Sequence, residues 1–350
     1  MEEEPVHVIR ESTRSLVKLN RQQQRDEVSD LNRSIGEIRI TPEKISNIAQ
    51  NLKKKSKITA SDLNILKNSL MDDPNNKNIV LGTQGALRGL VRELTGQDAR
   101  KQCAAAGCLC NLALADDKAC HTIAKAAGAY LVTMLDSLTV DLAVTCAWAL
   151  GNLASSEPRA AELLVSQGAV AGLCDLLQRS KHMDGCQDAA LYALVHFAYQ
   201  LKDVLRVEHL KRILQELTKI QLTMSSSELL FILSCHENFL DNITEELSQR
   251  VLADFPSAME VHSASCKSDA GNVFCCKLTH LLRVLGNMDI SKIYQTLLDT
   301  LVGNNMTQRI CMILSVESKS VLRDSLLWLL GNMYNFNSDN VLFYNLLCSK

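Results

Sequence analysis

Thr145-Cys146-Ala147-Trp148-Ala149-Leu150-Gly151-Asn152-Leu153-Ala154-Ser155-Ser156-Glu157-Pro158 is the stretch that decides the fold. Wound as a helix, Ala143, Cys146, Ala147, Leu150, Gly151, Leu153 and Ala154 form one broad apolar face. Asp141, Thr145, Trp148, Asn152 and Ser155 fall on the opposite stripe, at steps of four, three, four and three. A large aromatic and a carboxamide therefore stand one turn apart on the side away from the core. Pro158 ends the helix just beyond. Two readings follow. Either this stripe is a surface that holds a guest, or the Trp fills a seam between helices and the Asn bonds one helix to the next.

The motif repeats. Leu150-Gly151-Asn152 returns as Leu285-Gly286-Asn287 and Leu330-Gly331-Asn332, the last with Trp328 four residues before its Asn. The chain has only two Trp, and both hold this place. Equivalent helices centre on Gly107 (with Asn111), Trp148, Tyr192 (with His196), Phe231 (with Cys235), Arg283 (with Asn287) and Trp328, spaced 41, 44, 39, 52 and 45 residues apart. Gly85-Ala86-Leu87, Gly128-Ala129-Tyr130 and Gly168-Ala169-Val170 each read as the start of a short apolar helix. Helices alone at this period predict an all-α, armadillo/HEAT-type solenoid, a right-handed superhelix of about six repeats with an N-terminal helical arm.

Composition agrees. The 350 residues are 47% hydrophobic and 4% aromatic with five Pro, as expected of a Leu/Ala-rich helical stack. A net charge of −2 argues against nucleic acid as a partner. Of the 13 Cys, Cys103, Cys110, Cys146, Cys174 and Cys311 sit singly on apolar faces and no secretory signal is seen, so the cysteines read as reduced core thiols of a cytoplasmic or nuclear protein. No apolar run reaches the roughly 18–20 residues of a membrane span.

The N-terminal 1–56 segment is more polar than the rest. Arg10, Arg14, Lys18, Arg21 and Arg25 would form one basic stripe on a helix, either simply solvated or docked on an acidic partner. Thr41-Pro42-Glu43-Lys44 predicts a helix to about Leu52, still within this arm, followed by the basic cluster at Lys53–Lys57. Ser61-Asp62 reads as the cap of the next helix, and the solenoid is expected over 57–350. Residues 256–271 lack a clear helical pattern and read as a loop insertion. Leu342, Phe343, Leu346 and Leu347 suggest a further helix or a cap.

Catalytic signatures are missing: there is no phosphate-binding glycine loop, nucleophile elbow or His-Glu-x-x-His. Cys108 with Cys110, Cys120 with His121, and Cys275-Cys276 lack the doubled pairing of a zinc site. The expectation is a non-enzymatic chain with no cofactor and no metal.

Cys146-Ala147-Trp148-Ala149-Leu150-Gly151-Asn152-Leu153-Ala154 resembles the third-helix signature of the importin-alpha family of armadillo proteins. The arm segment Arg21 to Asn32 is similar to that family's importin-beta-binding arm. The layout as a whole resembles most closely the transmembrane and coiled-coil domain-containing protein 6 family, a divergent relative. The resemblance implies a nuclear-import adaptor that binds a basic peptide cargo, with Trp faces holding Lys and Arg stems and Asn amides holding the peptide backbone. It assigns Trp148, Asn152, Trp328 and Asn332 as full sites, Asn111 and Asn287 as Asn without Trp, and an importin-beta-type receptor as partner of the arm. Tyr192/His196 and Phe231/Cys235 interrupt this ladder, and Ser155-Ser156 and Phe336 stand where the family has acids. The alternative is a general armadillo scaffold for a folded partner.

Overall fold

Local signals set the helix ends in the computed structural model, which describes residues 41–54, 58–179, 185–202, 204–265, 277–302, 306–315 and 321–337. The basic arm positions 10–25 and the apolar segment 342–347 lie outside the described residues. By compactness the chain divides into Met1–Lys44, of which only Thr41–Lys44 is described, and Ile45–Lys350.

Helix α1 (Pro42–Lys54) opens with Pro at its first turn, and the Thr41 hydroxyl accepts from the Lys44 N–H at 3.4 Å. Its Ile45, Ile48, Ala49 and Leu52 recur on one face and are buried. The Leu52 carbonyl accepts from Arg92 Nη2 at 3.2 Å. This helix was expected in the arm. Its apolar face instead packs into the larger unit, which begins at Ile45 rather than at 57, because an amphipathic stripe of this width needs a partner.

Helix α2 (Ala60–Asp72) is capped by Thr59, not Ser61-Asp62. Thr59 Oγ1 accepts from Asp62 N–H at 3.1 Å, and the Asp62 carboxylate accepts from Thr59 N–H at 3.0 Å, a reciprocal capping box. Asp73 then caps α3 (Pro74–Gly82). The series continues through α4 (Ala86–Leu94), α5 (Ala99–Leu112), α6 (Asp117–Met134), α7 (Val140–Ala154), α8 (Pro158–Ser166), α9 (Ala169–Arg179) and α10 (Cys186–Gln200). It goes on with α11 (Val207–Leu217), α12 (Met224–Ser234), α13 (Phe239–Asn242), α14 (Glu245–Ser265), α15 (Lys277–Asn287), α16 (Ile290–Val302), α17 (Met306–Leu314) and α18 (Val321–Phe336). No strand occurs among the described residues.

Helices α2, α5, α7, α10, α12, α15 and α18 form one continuous row, each packed on the next, with the other helices stacked beside them. This is a helical solenoid. The row has seven members, one more than the sequence motif marks, because α2 carries neither the Trp nor the Gly.

Two further expectations are corrected. Gly85 (φ +92°) and Gly168 (φ +90°) do break the chain and open helices, using the left-handed backbone that suits glycine. Gly128 does not: it lies inside the unbroken α6, where an added Cβ would fall 2.6 Å from Leu164 Cδ2. Close packing, not a turn, requires that glycine. The 256–271 loop is also revised, since α14 stays helical to Ser265 despite Pro256. Leu247, Val251, Phe255 and Met259, each four residues from the last, are fully buried and carry the helix through. Residues 266–271 lie outside the described residues.

No single described helix is long and apolar enough to cross a membrane, though α8 and α9, bent by 73°, pass that test together. Their apolar residues Ala160, Ala161, Leu164, Leu173, Leu176 and Leu177 are all buried in the solenoid. The nine described cysteines are free thiols. Burial pushes Cys108 and Cys174 up to about 12 and Cys120 up to about 11, so these three are packing groups rather than nucleophiles.

A glycine pair tests the α1 assignment. A Cβ on Gly89 would lie 2.6 Å from the Leu52 carbonyl oxygen, whereas one on Gly82 meets none of the described residues within 4 Å. Gly89→Ala is expected to destabilise by about 1–3 kcal/mol through overpacking. Gly82→Ala should be neutral or stabilising by up to about 1 kcal/mol. Urea midpoints of the two variants check this; equal midpoints would place α1 outside the packed unit.

Candidate functional site

The seven row helices share one register. Positions equivalent to Trp148 are Asn64, Gly107, Trp148, Tyr192, Phe231, Arg283 and Trp328. Four residues later stand Asn68, Asn111, Asn152, His196, Cys235, Asn287 and Asn332. Two residues before each of these is a leucine, and Leu66, Leu109, Leu150, Leu194, Leu233, Leu285 and Leu330 are all buried. The leucine anchors each helix by its apolar face, which leaves the two marked positions on the open edge of the row.

The carboxamides reach backward. Asn111 Nδ2 donates to the Lys67 carbonyl at 2.8 Å, Asn152 Nδ2 to the Cys110 carbonyl at 3.2 Å, and Asn332 Nδ2 to the Gly286 carbonyl at 2.7 Å. In each case the acceptor is the residue just before the Asn-equivalent position of the preceding helix. Asn287 keeps the register but donates to the Ser234 hydroxyl at 2.9 Å. Asn152 is also locked from the other side, its Oδ1 accepting from Tyr192 Oη at 2.8 Å, and it is buried. So all four asparagines assigned to peptide backbone bond one repeat to the next. An amide nitrogen carries two hydrogens, and at Asn111 and Asn332 this bonding uses one of them.

The glycines receive the next repeat. A Cβ on Gly151 would lie 2.6 Å from Tyr192 Cε1 and 3.0 Å from the backbone Cα of Ala193. One on Gly286 would lie 2.7 Å from Trp328 Nε1. Where the socket residue is large, as at Lys67, the facing position is Gly107, and a Cβ there would lie 2.5 Å from Lys67 Cδ. Size on one helix is matched by its absence on the next.

The structure does not bring the two Trp residues together. Trp148 in α7 is half-buried with its ring 4.3 Å from Tyr192, and Tyr192 meets His196 edge-on at 4.5 Å. Trp328 in α18 is 55% exposed. Between them, Arg283 places its guanidinium 4.9 Å from the centroid of Phe231 and donates through Nε to Ser325 Oγ at 2.9 Å. His280 stacks on the same Phe231 ring at 6.1 Å, and burial, aided by Arg283, brings its pKa down to about 4.

Acidic residues that the motif did not mark also share this edge. Asp188 and Asp324 each stand four residues before their aromatic, Tyr192 and Trp328, and are exposed. Asp324 has Arg323 Nε at 3.7 Å. Glu228 stands three before Phe231, and burial lifts its carboxyl to about 7. The one-turn step from the aromatics was readable in the sequence, but acids were sought only after the Asn.

A scan against protein-family models finds no match, and a search of the curated proteins finds none. Among solved structures, an engineered protein shares 19% identity over 83% of this chain and 68% of its own, with a TM-score of 0.64. Computationally designed armadillo repeat proteins for modular peptide recognition share 16% identity over 70% of this chain and 100% of theirs, at 0.54.

Two measurements probe this edge. Asn332→Ala should cost about 1–2 kcal/mol in unfolding free energy by removing one inter-helix hydrogen bond; an unchanged urea midpoint would deny the bond a structural role. For Glu228, burial lifts the folded pKa to about 7 from the ordinary glutamate value of 4.5, so the native state holds the extra proton between those values. Its contribution is greatest below about pH 4.5 and is lost as pH rises through about 7. Stability of Glu228→Gln relative to wild type should therefore climb across that window and level above it, as read by urea titrations at several pH values. The likeness to these solved structures shows an armadillo-like fold.

Proposed function

We propose that this chain is a non-enzymatic adaptor that binds an extended basic peptide along the open edge of the helix row. The observation that carries this reading is the pairing of an aromatic with an exposed acid one turn earlier, Asp188 with Tyr192 and Asp324 with Trp328. A Lys or Arg stem laid on the ring would bring its charged head toward the carboxylate. The remaining N–H of Asn111 and of Asn332 can meet peptide carbonyls.

The two aromatic stations, on α10 and α18, lie three helix steps apart, about 24–30 Å at the usual 8–10 Å per packed pair. That is about 7–9 residues of extended chain. Between them, the ring of Phe231 already carries the guest-like cation of Arg283, which disfavours a second cation there. The preferred ligand thus has two basic clusters separated by a neutral stretch. The finer reading is nuclear import: the arm bearing Arg10, Arg14, Lys18, Arg21 and Arg25 docks on an importin-beta-type receptor, and the protein works in cytoplasm and nucleus.

Fluorescence titration of a peptide with two Lys/Arg clusters about eight residues apart tests the peptide reading. Asp324→Asn should weaken binding about 5–30-fold while the melting temperature holds, from a contact of roughly 1–2 kcal/mol, and Trp328→Ala should weaken it as much while also loosening the packing on Gly286. A peptide with one cluster should bind more weakly. Pull-downs with the full chain and a chain lacking residues 1–40 test the arm, since loss of an import receptor on deletion is expected. The second reading, a scaffold for a folded partner, is favoured by the engagement of every assigned Asn in repeat packing. Absence of peptide binding with retained protein partners would select it.

A further inference from the structure

Helices α14 and α16, with α13 at one end, border a groove of about 530 Å³. Its wall on α14 runs from Glu245 to Pro256, about three turns, or roughly 17 Å. Leu247, Val251 and Phe255 tie α14 to the core, and the stripe Ser248, Leu252 and Pro256 beside them lines the groove. Ile293, Thr296 and Thr300 of α16 supply the other wall. Leu240 of α13 lines the end and is 49% exposed.

Pro256 gives this groove a feature that ordinary helix surfaces lack. Proline has no N–H, so the Leu252 carbonyl, one turn earlier, loses its helical donor. Leu252 and Pro256 both line the groove, so this acceptor opens onto it. The lip adds charge. Lys292 is engaged by Asp289 at 3.5 Å, and hydrogen bonds from Ser291 hold the Asp289 carboxyl below its ordinary range. Glu245 accepts from the neutral Gln249 amide at 2.9 Å, which leaves its charge unbalanced. Two carboxylates therefore face one ammonium among these lining residues.

We infer that this groove docks a basic, amphipathic helix of a partner protein, about three turns long. Its apolar residues, at i, i+4 and i+7, lie against Leu240, Leu252 and Ile293. A Lys or Arg beside them donates to the Leu252 carbonyl and faces Glu245. An acidic segment would meet like charge and leave the carbonyl without a donor. None of the lining residues holds a Trp- or Asn-equivalent position of the row, so the inference stands apart from peptide binding along the open edge.

The probe is a fluorescein-labelled, helix-stapled synthetic peptide of about twelve residues, with leucines at i, i+4 and i+7 and lysines elsewhere. Anisotropy against the full chain should show saturable binding, which a version with glutamates in place of the lysines lacks. Thr296→Arg, on the exposed wall, should weaken it about 10-fold or more, and its urea midpoint checks that the fold is kept. Pro256→Ala separates docking from folding. It returns a donor to the Leu252 carbonyl, so stability should rise while binding falls about 5-fold. Asp324→Asn should leave the affinity for this peptide unchanged.

Absence of binding, equal binding of the acidic version, or indifference to both Thr296→Arg and Pro256→Ala overturns the inference. Weakening by Asp324→Asn overturns it by moving the peptide to the open edge. Binding that appears only after residues 1–40 are removed also overturns it, by assigning the groove to the arm. A concentration-dependent dimer abolished by Thr296→Arg does so by assigning it to a second copy.

Discussion

The carboxamide hydrogen bonds that Asn111, Asn152 and Asn332 make to the backbone of the preceding row helix are the constraint on which the rest of the row depends. Hydrophobic burial supplies most of the cohesion, but it is non-directional, and a leucine-rich face can slide along its neighbour at little cost. Nδ2 of Asn111, Asn152 and Asn332 each finds a carbonyl at the same offset in the preceding helix, which allows a single register. The glycine before the Asn adds a steric condition in the forward direction, admitting the ring of Tyr192 at Gly151 and that of Trp328 at Gly286. Leu-Gly-Asn is therefore a two-sided connector. Its leucine faces the core, its asparagine the previous repeat and its glycine the next.

This connector also explains why the ladder along the open edge is uneven. At His196 and Cys235 no backward amide exists, and other contacts take over: Tyr192 bonds back to Asn152, and Arg283 reaches both Phe231 and Ser325. Aromatic and cationic side chains that could have met a guest are partly spent on joining neighbours. The edge that results has aromatic stations with nearby acids at two places and a self-satisfied stretch between them. Function and cohesion share the same side chains here, Trp328 included, so substitutions on this edge affect both unless they fall on an exposed group such as Asp324.

Much of this was legible in the sequence for a plain reason. A solenoid repeats one local solution, so the Leu150-Gly151-Asn152 pattern and its copies report the helix row directly. Thr41-Pro42 and Asp73-Pro74 report helix starts equally locally. Misreadings arose where a residue's meaning depends on a distant neighbour. Gly128 looked like a turn and is a close-packing site beneath Leu164. Residues 256–265 looked like part of a loop insertion, yet the buried stripe through Phe255 and Met259 keeps them helical. The Pro42–Lys54 helix looked like arm until Gly89 and Arg92 supplied its partners.

By itself, the sequence determined the helical class, the repeat length and the positions that share an edge, because periodicity and capping act within a few residues of chain. What each side chain on that edge does was decided only by tertiary structure. Whether an amide faces a guest or a carbonyl 42 to 46 residues away depends on how two helices dock. That docking is a balance of shape and burial between segments remote in the chain, and no local pattern encodes it.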